Sequence, residues 1–346
     1  MNKIAFITGI NGQDGSYLSE LLLSKDYYVY GMIRRMSCIN TKRIDHLNIE
    51  KKFKVFYGDM TDTLCISNII KKILNEHKED KIEILEVYNL AAQSHVKVSF
   101  EMPEYTMQVN AIGTMNLLEI LRNCDLHIDK IKFYQASTSE MFGDSHNNEP
   151  MNENTPFNPV SPYSISKLTA HNIVKMYRDG YKLFACNGIL FNHESARRGE
   201  TFVTRKIVIA SQKIANDQQE FLELGNLDSY RDWGHARDYV YGMWLMLQYQ
   251  KPDDYVLGTG NTFTVRDFVE RAFKFKGIDI KWEGKGLNEV GISKQTNKII
   301  IKINERLFRP LEVPYLKADY SKAKNTLGWY PIVSIDDIIF DMNLAL

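Results

Sequence analysis

The chain has 346 residues, 44% apolar and 25% charged, and its 43 basic residues are balanced by 43 acidic ones. That composition excludes a disordered or fibrous chain, and zero net charge removes the electrostatic case for nucleic acid or a membrane surface as partner. Cys38, Cys65, Cys124 and Cys186 are scattered, without the paired spacing of a metal site, and no apolar run reaches the ~18 residues of a membrane span, so a cytoplasmic location is expected.

In chain order, β-rich runs are predicted at Ile4–Thr8, Tyr28–Ile33, Lys54–Tyr57, Ile84–Leu90, Ile131–Tyr134 and Phe184–Leu190. Helical patterns are predicted between them at Ser16–Ser24, Leu64–Asn75 and Thr106–Asn123, the last with an apolar stripe of Met107, Ile112, Met115, Leu118 and Leu121. This alternation implies βαβ units and a doubly wound parallel sheet of the α/β class. From about Phe191 the beat breaks. Helices are expected at Phe202–Asn216, His235–Gln250, Val265–Lys276 and Ile335–Leu344, and surface loops at Asp144–Pro159 and Gly284–Gly291. The expected division is a sheet domain, 1–188 plus about 235–260, and a smaller interleaved α/β domain, 189–234 plus about 261–346.

Gly9, Gly12 and Gly15 follow the first strand and open the first helix. Three glycines there permit a tight turn, close approach of backbone to a pyrophosphate and close helix–strand packing, while the helix N-terminus supplies free N–H groups. The spacing is Gly-x-x-Gly-x-x-Gly, which as a bare pattern is weak; its place between strand and helix makes it a Rossmann-type dinucleotide site. The second strand ends on Arg34 and Arg35, where a basic residue suits a 2′-phosphate and therefore NADP rather than NAD. Asp59 after the third strand is placed to reach the adenine, and Leu90 to Ser94 offer small residues for close approach beside the nicotinamide ribose.

Tyr163 and Lys167 form a Tyr-x-x-x-Lys pair on one helix face. Composition predicts one or two such pairs by chance, and the chain holds two, the other being Tyr320 with Lys324. Context separates them, because Ser161-Pro162 is an N-cap followed by a first-turn proline that puts Tyr163 at a helix start. A nearby ammonium and the nicotinamide cation are expected to lower the phenol pKa and make Tyr163 a usable base near neutrality. Thr138 and Glu140, two residues apart in the segment that follows the fifth strand, can both reach one substrate.

Together these features resemble the extended short-chain dehydrogenase/reductases that modify nucleotide sugars. Within them the closest resemblance is to the GDP-mannose 4,6-dehydratase family. It is carried by Thr8 to Tyr17, Ala92 to His95, Ser137-Thr-Ser-Glu140, Asn187 to Ser195, Phe202 to Lys206 and Arg231-Asp-Trp-Gly-His235. Asn11, Ala196 and Met141-Phe142 depart from the family's usual residues. The resemblance implies that Tyr163 takes the proton of the sugar 4-hydroxyl, that Glu140 removes the carbon-5 proton, that Thr138 bonds the sugar and that water leaves carbon 6. The implied product is GDP-4-keto-6-deoxymannose, a first step toward GDP-fucose or GDP-rhamnose. Lys167 is implied to orient Tyr163 and the ribose. It further implies a cofactor shell of Asn11, Gln13, Asp14, Met60, Leu90, Ala92, Gln93, Ser94, Tyr105, His193 and Arg198. Ser94, Asn192, Val203, Lys206, Gly225, Arg231, Arg309 and Glu312 are implied to hold the nucleotide sugar. A homodimer or homotetramer joined through the Arg35–Arg43 loop is also implied. A nucleotide-sugar epimerase, a dehydratase for another base and a non-catalytic NADP-sensing protein are the alternative readings; Glu140 weighs against the epimerase.

Overall fold

The computed structural model describes residues 1–38, 40–78, 81–144 and 149–345. The first half runs β1 (Asn2–Thr8), α1 (Gln13–Ser24), β2 (Tyr28–Ile33), β3 (Phe53–Tyr57), α2 (Thr63–His77) and β4 (Ile82–Asn89). It continues through α3 (Val96–Glu101), α4 (Pro103–Met107), α5 (Gly113–Arg122), β5 (Ile131–Thr138), α6 (Pro162–Tyr181) and β6 (Phe184–Leu190). These strands, with Asp254–Leu257, form one seven-stranded parallel sheet. Its order, from β3 inward, is β3-β2-β1-β4-β5-β6 and then Asp254–Leu257.

Helices cover both faces, so the central strands bury both sets of side chains. Along β1, Ile4 and Phe6 enter the core beneath α2, α5 and α6, while Ala5 and Ile7 enter the opposite core with α1. All four are fully buried. The chain winds out to β3 and returns beside β1 as β4, so a crevice opens where those two strand ends part. Thr8 ties the ends together: its hydroxyl donates to Asn89 Oδ1 at 2.8 Å and accepts from the N–H groups of Leu90 and Ala91 at 3.0 and 3.1 Å.

Three sequence expectations need correction. The helix expected over Thr106–Asn123 is interrupted by a π-turn at Gln108–Ile112. The wider turn re-aims the side chains beyond it, so Val109, Thr114, Leu117, Leu118 and Leu121 are buried, while Met107, Ile112 and Met115 are only partly so. The fifth strand does not stop at Tyr134 but pairs with β6 as far as Thr138. Gly284–Gly291 is not all loop, since it enters a strand at Val290.

The second half starts with β7 (Asn192–Glu194), α7 (Val203–Ala215), β8 (Leu222–Leu224), β9 (Tyr230–Arg231) and β10 (Trp233–His235). Next come α8 (Ala236–Gln248), β11 (the Asp254–Leu257 strand), β12 (Phe263–Thr264), α9 (Val265–Lys274) and β13 (Ile280–Glu283). The chain ends with β14 (Val290–Ser293), β15 (Ile299–Ile303), α10 (Ser321–Leu327) and α11 (Ile335–Leu344). A four-stranded sheet, β13-β14-β15-β8, shares a separate core with α7, α9 and α11. Helix α8 packs on the face of the large sheet that also holds α1, and Trp329, just after α10, joins that core. Beyond β11 and α8, the second half adds residues to a cleft shared with the loops that follow β1, β4 and β5. Among the described residues no helix is long and apolar enough to cross a membrane.

Candidate active site

The floor of the crevice is built from backbone. Gly9 has φ +70°, and a Cβ there would stand 3.0 Å from the backbone of Ala91. At Gly15 a Cβ would come within 2.6 Å of both Gly9 O and Ile10 Cα, so three chain segments approach with no side chain between them. Helix α1 starts after Gly12 without a side-chain cap, which leaves its first N–H groups facing a cleft of about 540 Å³. Beside them Asp14 accepts from His193 Nε2 at 2.8 Å, and His193 stacks on Tyr239 at 4.5 Å. Burial opposes the charges of this pair, yet their mutual attraction prevails. Asp14 is held below the usual carboxylate range, and the His193 imidazole is pushed up.

The side wall comes from β5 and α6. A capping box between Ser161 and Ser164, with Pro162 in the first turn, starts α6. Its buried face carries Tyr163 and Lys167 into the cleft. Lys167 Nζ donates to Ala136 O at 2.8 Å, and burial lowers its pKa to about 8 against the pull of Asp14. Burial also pushes the Tyr163 phenol up to about 12, with a hydrogen bond from Thr138 opposing and the Glu140 charge reinforcing the rise. From the protein's own groups, desolvation outweighs the Thr138 hydrogen bond and the Arg198 charge.

The far wall is ionic. Glu140, only 7% exposed, faces Arg309 Nη1 at 3.4 Å; Arg309 reaches Glu312 at 3.5 Å, and Glu312 accepts from Arg231 Nη2 at 2.9 Å. Four side chains from three distant stretches thus form one alternating row. Lys206, which donates to Glu223 O at 2.7 Å, lines the same end of the cleft with Asn192, Val203 and Gly225.

A crevice at the switch point, with a glycine floor, a Tyr–Lys wall and a buried carboxylate, has clear relatives. The family model for GDP-mannose 4,6 dehydratase matches residues 6–342. The chain belongs to the GDP-mannose 4,6-dehydratase family. It is 52% identical to the GDP-mannose 4,6 dehydratase of Drosophila melanogaster, over 99% of this chain and 86% of that protein. Identity to the Homo sapiens protein is 51%, over 98% of this chain and 90% of the relative. The Sinorhizobium fredii protein is 50% identical, over 98% and 95%. Among solved structures, dTDP-glucose 4,6-dehydratase from Bacillus anthracis in complex with NAD superposes with a TM-score of 0.79 at 20% identity, covering 99% of this chain and 96% of that one. UDP-glucuronic acid 4-epimerase from Bacillus cereus gives 0.79 at 21% identity, covering 99% and 98%. Those two likenesses are of fold.

In this member of the dehydratase family the cleft lining gathers Gly9, Gly12, Gln13, Asp14, Gly15, Leu90, Ala92, Ser94, Thr138, Glu140, Tyr163, Lys167, Asn192, His193, Arg198, Val203, Lys206, Gly225 and Arg309. The remaining expected residues stand behind or beside it. Met60 is buried in the core, Gln93 Oε1 accepts from the N–H of His95, and Asp59 accepts from the N–H and hydroxyl of Thr61. Arg34 donates to the Tyr105 hydroxyl, and the Arg35 guanidinium lies 4.8 Å from the centre of the Tyr57 ring. Arg231 and Glu312 form the outer end of the ionic row. Asn11 donates to Asn40 O at 2.8 Å. Sequence reasoning missed Arg43 and Arg197, which line the cleft. Arg43 Nε donates to Arg197 O at 2.8 Å, closing the loop over the glycine turn. The Arg197-Arg198 doublet was a visible signal; nothing local marked Arg43 above the other cations of its loop.

Proposed function

We propose that the protein removes water from GDP-mannose to give GDP-4-keto-6-deoxymannose, with NADP as a cofactor that ends each turnover as it began. The observation that carries this reading is Glu140, a buried carboxylate in the same cleft as Tyr163 and Lys167. Oxidation at carbon 4 alone needs no second base; loss of the carbon-5 proton does. The residues fit a dinucleotide, since the crevice floor is backbone that a Cβ would fill and the uncapped α1 N-terminus faces it. When bound, the nicotinamide supplies a hydride acceptor during oxidation and a hydride donor afterwards.

Tyr163 accepts the 4-hydroxyl proton, helped by Thr138, which bonds its phenol. The cationic ring of oxidised nicotinamide offsets the burial that keeps this phenol weakly acidic. Lys167, fixed by Ala136 O, holds the ribose and adds positive charge beside the cofactor. Glu140 takes the carbon-5 proton made acidic by the new ketone. The carboxylic acid so formed protonates the departing 6-hydroxyl, carbon 5 then regains a proton from solvent, and Tyr163 releases to solvent the proton it took, so that both bases end as they began. Arg309 and Arg231 suit the diphosphate, which guanidinium groups bind in a bidentate manner. We assign the cofactor to 1–188 plus about 235–260 and the sugar nucleotide to the remainder. Arg34 and Arg35 favour NADP over NAD.

Incubation with GDP-mannose and NADP tests the reading: a 4-keto-6-deoxy product supports it, and a 4-epimer or unchanged substrate overturns it. The proposed assembly is a homodimer or homotetramer joined through residues 35–43, of which residue 39 lies outside the described residues. Light scattering that gave only the 40.1 kDa monomer at micromolar concentration would refute it.

A further inference from the structure

From Ser137, which lines the cleft beside Thr138, a buried chain of polar groups that the proposed reaction does not use runs back behind the catalytic wall. Ser137 Oγ lies 3.2 Å from His171 Nδ1, and His171 Nε2 lies 3.5 Å from Asp254 Oδ2. Ser137 and His171 are each 4% exposed. Asp254, on β11, is held by two bonds from Arg178 at 2.7 and 3.1 Å and one from Asn187 Nδ2 at 2.9 Å.

Hydrogen-bond roles follow from the residue types. A carboxylate only accepts, so the 3.5 Å approach of Nε2 to Asp254 favours the proton on Nε2, and Nδ1 then accepts from the Ser137 hydroxyl, whose other acceptor is Asn187 Oδ1 at 3.5 Å. Burial lowers the pKa of His171, against Asp254, and keeps the ring neutral. The order resembles a hydrolase relay, but Asp254 is already neutralised by bidentate Arg178 and Ser137 shows little of its surface to the cleft.

Its place in the fold explains its use. Tyr163, Lys167 and His171 follow at four-residue steps on the buried face of α6. They meet three consecutive residues of β5: Thr138, the Ala136 carbonyl and Ser137. The first contact involves a phenol whose proton changes during the reaction, and the second a lysine that also holds the cofactor ribose. Only the third is inert. We propose that His171, anchored by Asp254, is a positioning residue that locks the register of α6 on β5, and so holds Tyr163 against Thr138 and Glu140 while their protons move. What that register serves rests on the dehydratase reading above.

The test compares His171→Phe, His171→Gln, Ser137→Ala and the double variant Ser137→Ala/His171→Phe, reading kcat and KM for GDP-mannose, bound NADP and thermal midpoint. His171→Phe should lower kcat by about ten- to hundredfold, the scale of a misplaced catalytic group, with KM and bound NADP little changed. Gln keeps an acceptor and a donor and should restore most of the rate. Ser137→Ala, a small change that should not impair folding, should resemble His171→Phe, and the double variant should be no slower than either. Wild-type kcat in Ser137→Ala, or losses that multiply in the double variant, overturn the proposal. A separate arm uses ¹⁵N NMR of histidine-labelled wild-type protein. The neutral Nε2–H tautomer, with an Nδ1 signal that moves in Ser137→Ala, supports the contact, and an Nδ1–H tautomer overturns it. If the wild-type protein leaves GDP-mannose unchanged, the dehydratase reading fails while the NMR arm still decides the contact.

Discussion

The floor and the far wall of the cleft are built on opposite principles. The floor is backbone: Gly9, Gly12 and Gly15 keep side chains out, and its positive potential comes from unpaired N–H groups of α1. The far wall is side chain: Glu140, Arg309, Glu312 and Arg231 alternate in charge across the gap between β5 and the second half of the chain. A backbone site tolerates no added atom but carries no titrating group. An ionic row tolerates small changes of shape, yet each member depends on its neighbours' charges. The glycine end of the cleft is thus set by space and the far end by charge.

The sharpest way to break the ionic side is Glu140→Gln. Size and most hydrogen bonding survive, but the carbon-5 proton has no acceptor, so dehydration should fall by about 10²–10⁴ while GDP-mannose still binds. Wild-type product formed in deuterated water should carry deuterium at carbon 5. Dehydration at wild-type speed in the variant would show that Glu140 is not the base. Tyr163→Phe should stop the sequence one step earlier, leaving no oxidised sugar at all.

Next in size is Arg35→Ala at the rim of the floor. A charge-assisted bond to a phosphate contributes roughly 1.5–3 kcal/mol, so NADP affinity should drop by about ten- to hundredfold and NAD affinity much less. Equal losses in a binding titration would remove Arg35 from the 2′-phosphate site. On the floor itself, Gly15→Ala forces a methyl to within 2.6 Å of backbone. Overpacking of that kind costs about 1–3 kcal/mol, and calorimetry should show a lower midpoint together with weaker dinucleotide binding. An unchanged midpoint would mean that the turn relaxes freely.

The smallest effect is a pH limb. Lys167 is charged below its lowered pKa and neutral above it, so kcat/KM should fall as pH rises through about 8. For stability the sign is opposite: between about 8 and the ordinary lysine value of 10.5 the unfolded chain binds the extra proton, so folding gains as pH rises. A kcat/KM profile flat from pH 7 to 9 would detach Lys167 from turnover.

What the sequence determined by itself is what depends on neighbours along the chain. The glycine turn, the Ser161-Pro162 helix start and the Tyr163–Lys167 face are local geometry, and residue order alone specifies them. The parallel sheet followed from strand–helix alternation because βαβ units leave few other topologies. Strand ends and the π-turn were illegible. Whether β5 continues to Thr138 depends on β6 pairing beside it, and the break after Met107 on how α4 and α5 seat against α6. The row from Glu140 to Arg231 joins residues up to 172 positions apart in the sequence, and the Ser137–His171–Asp254 chain crosses three elements. Only the tertiary structure decided these, and also that burial raises the Tyr163 phenol more than the Thr138 hydrogen bond and Arg198 lower it. Desolvation and long-range charge depend on what packs around a group, and that surrounding is assembled from the whole chain.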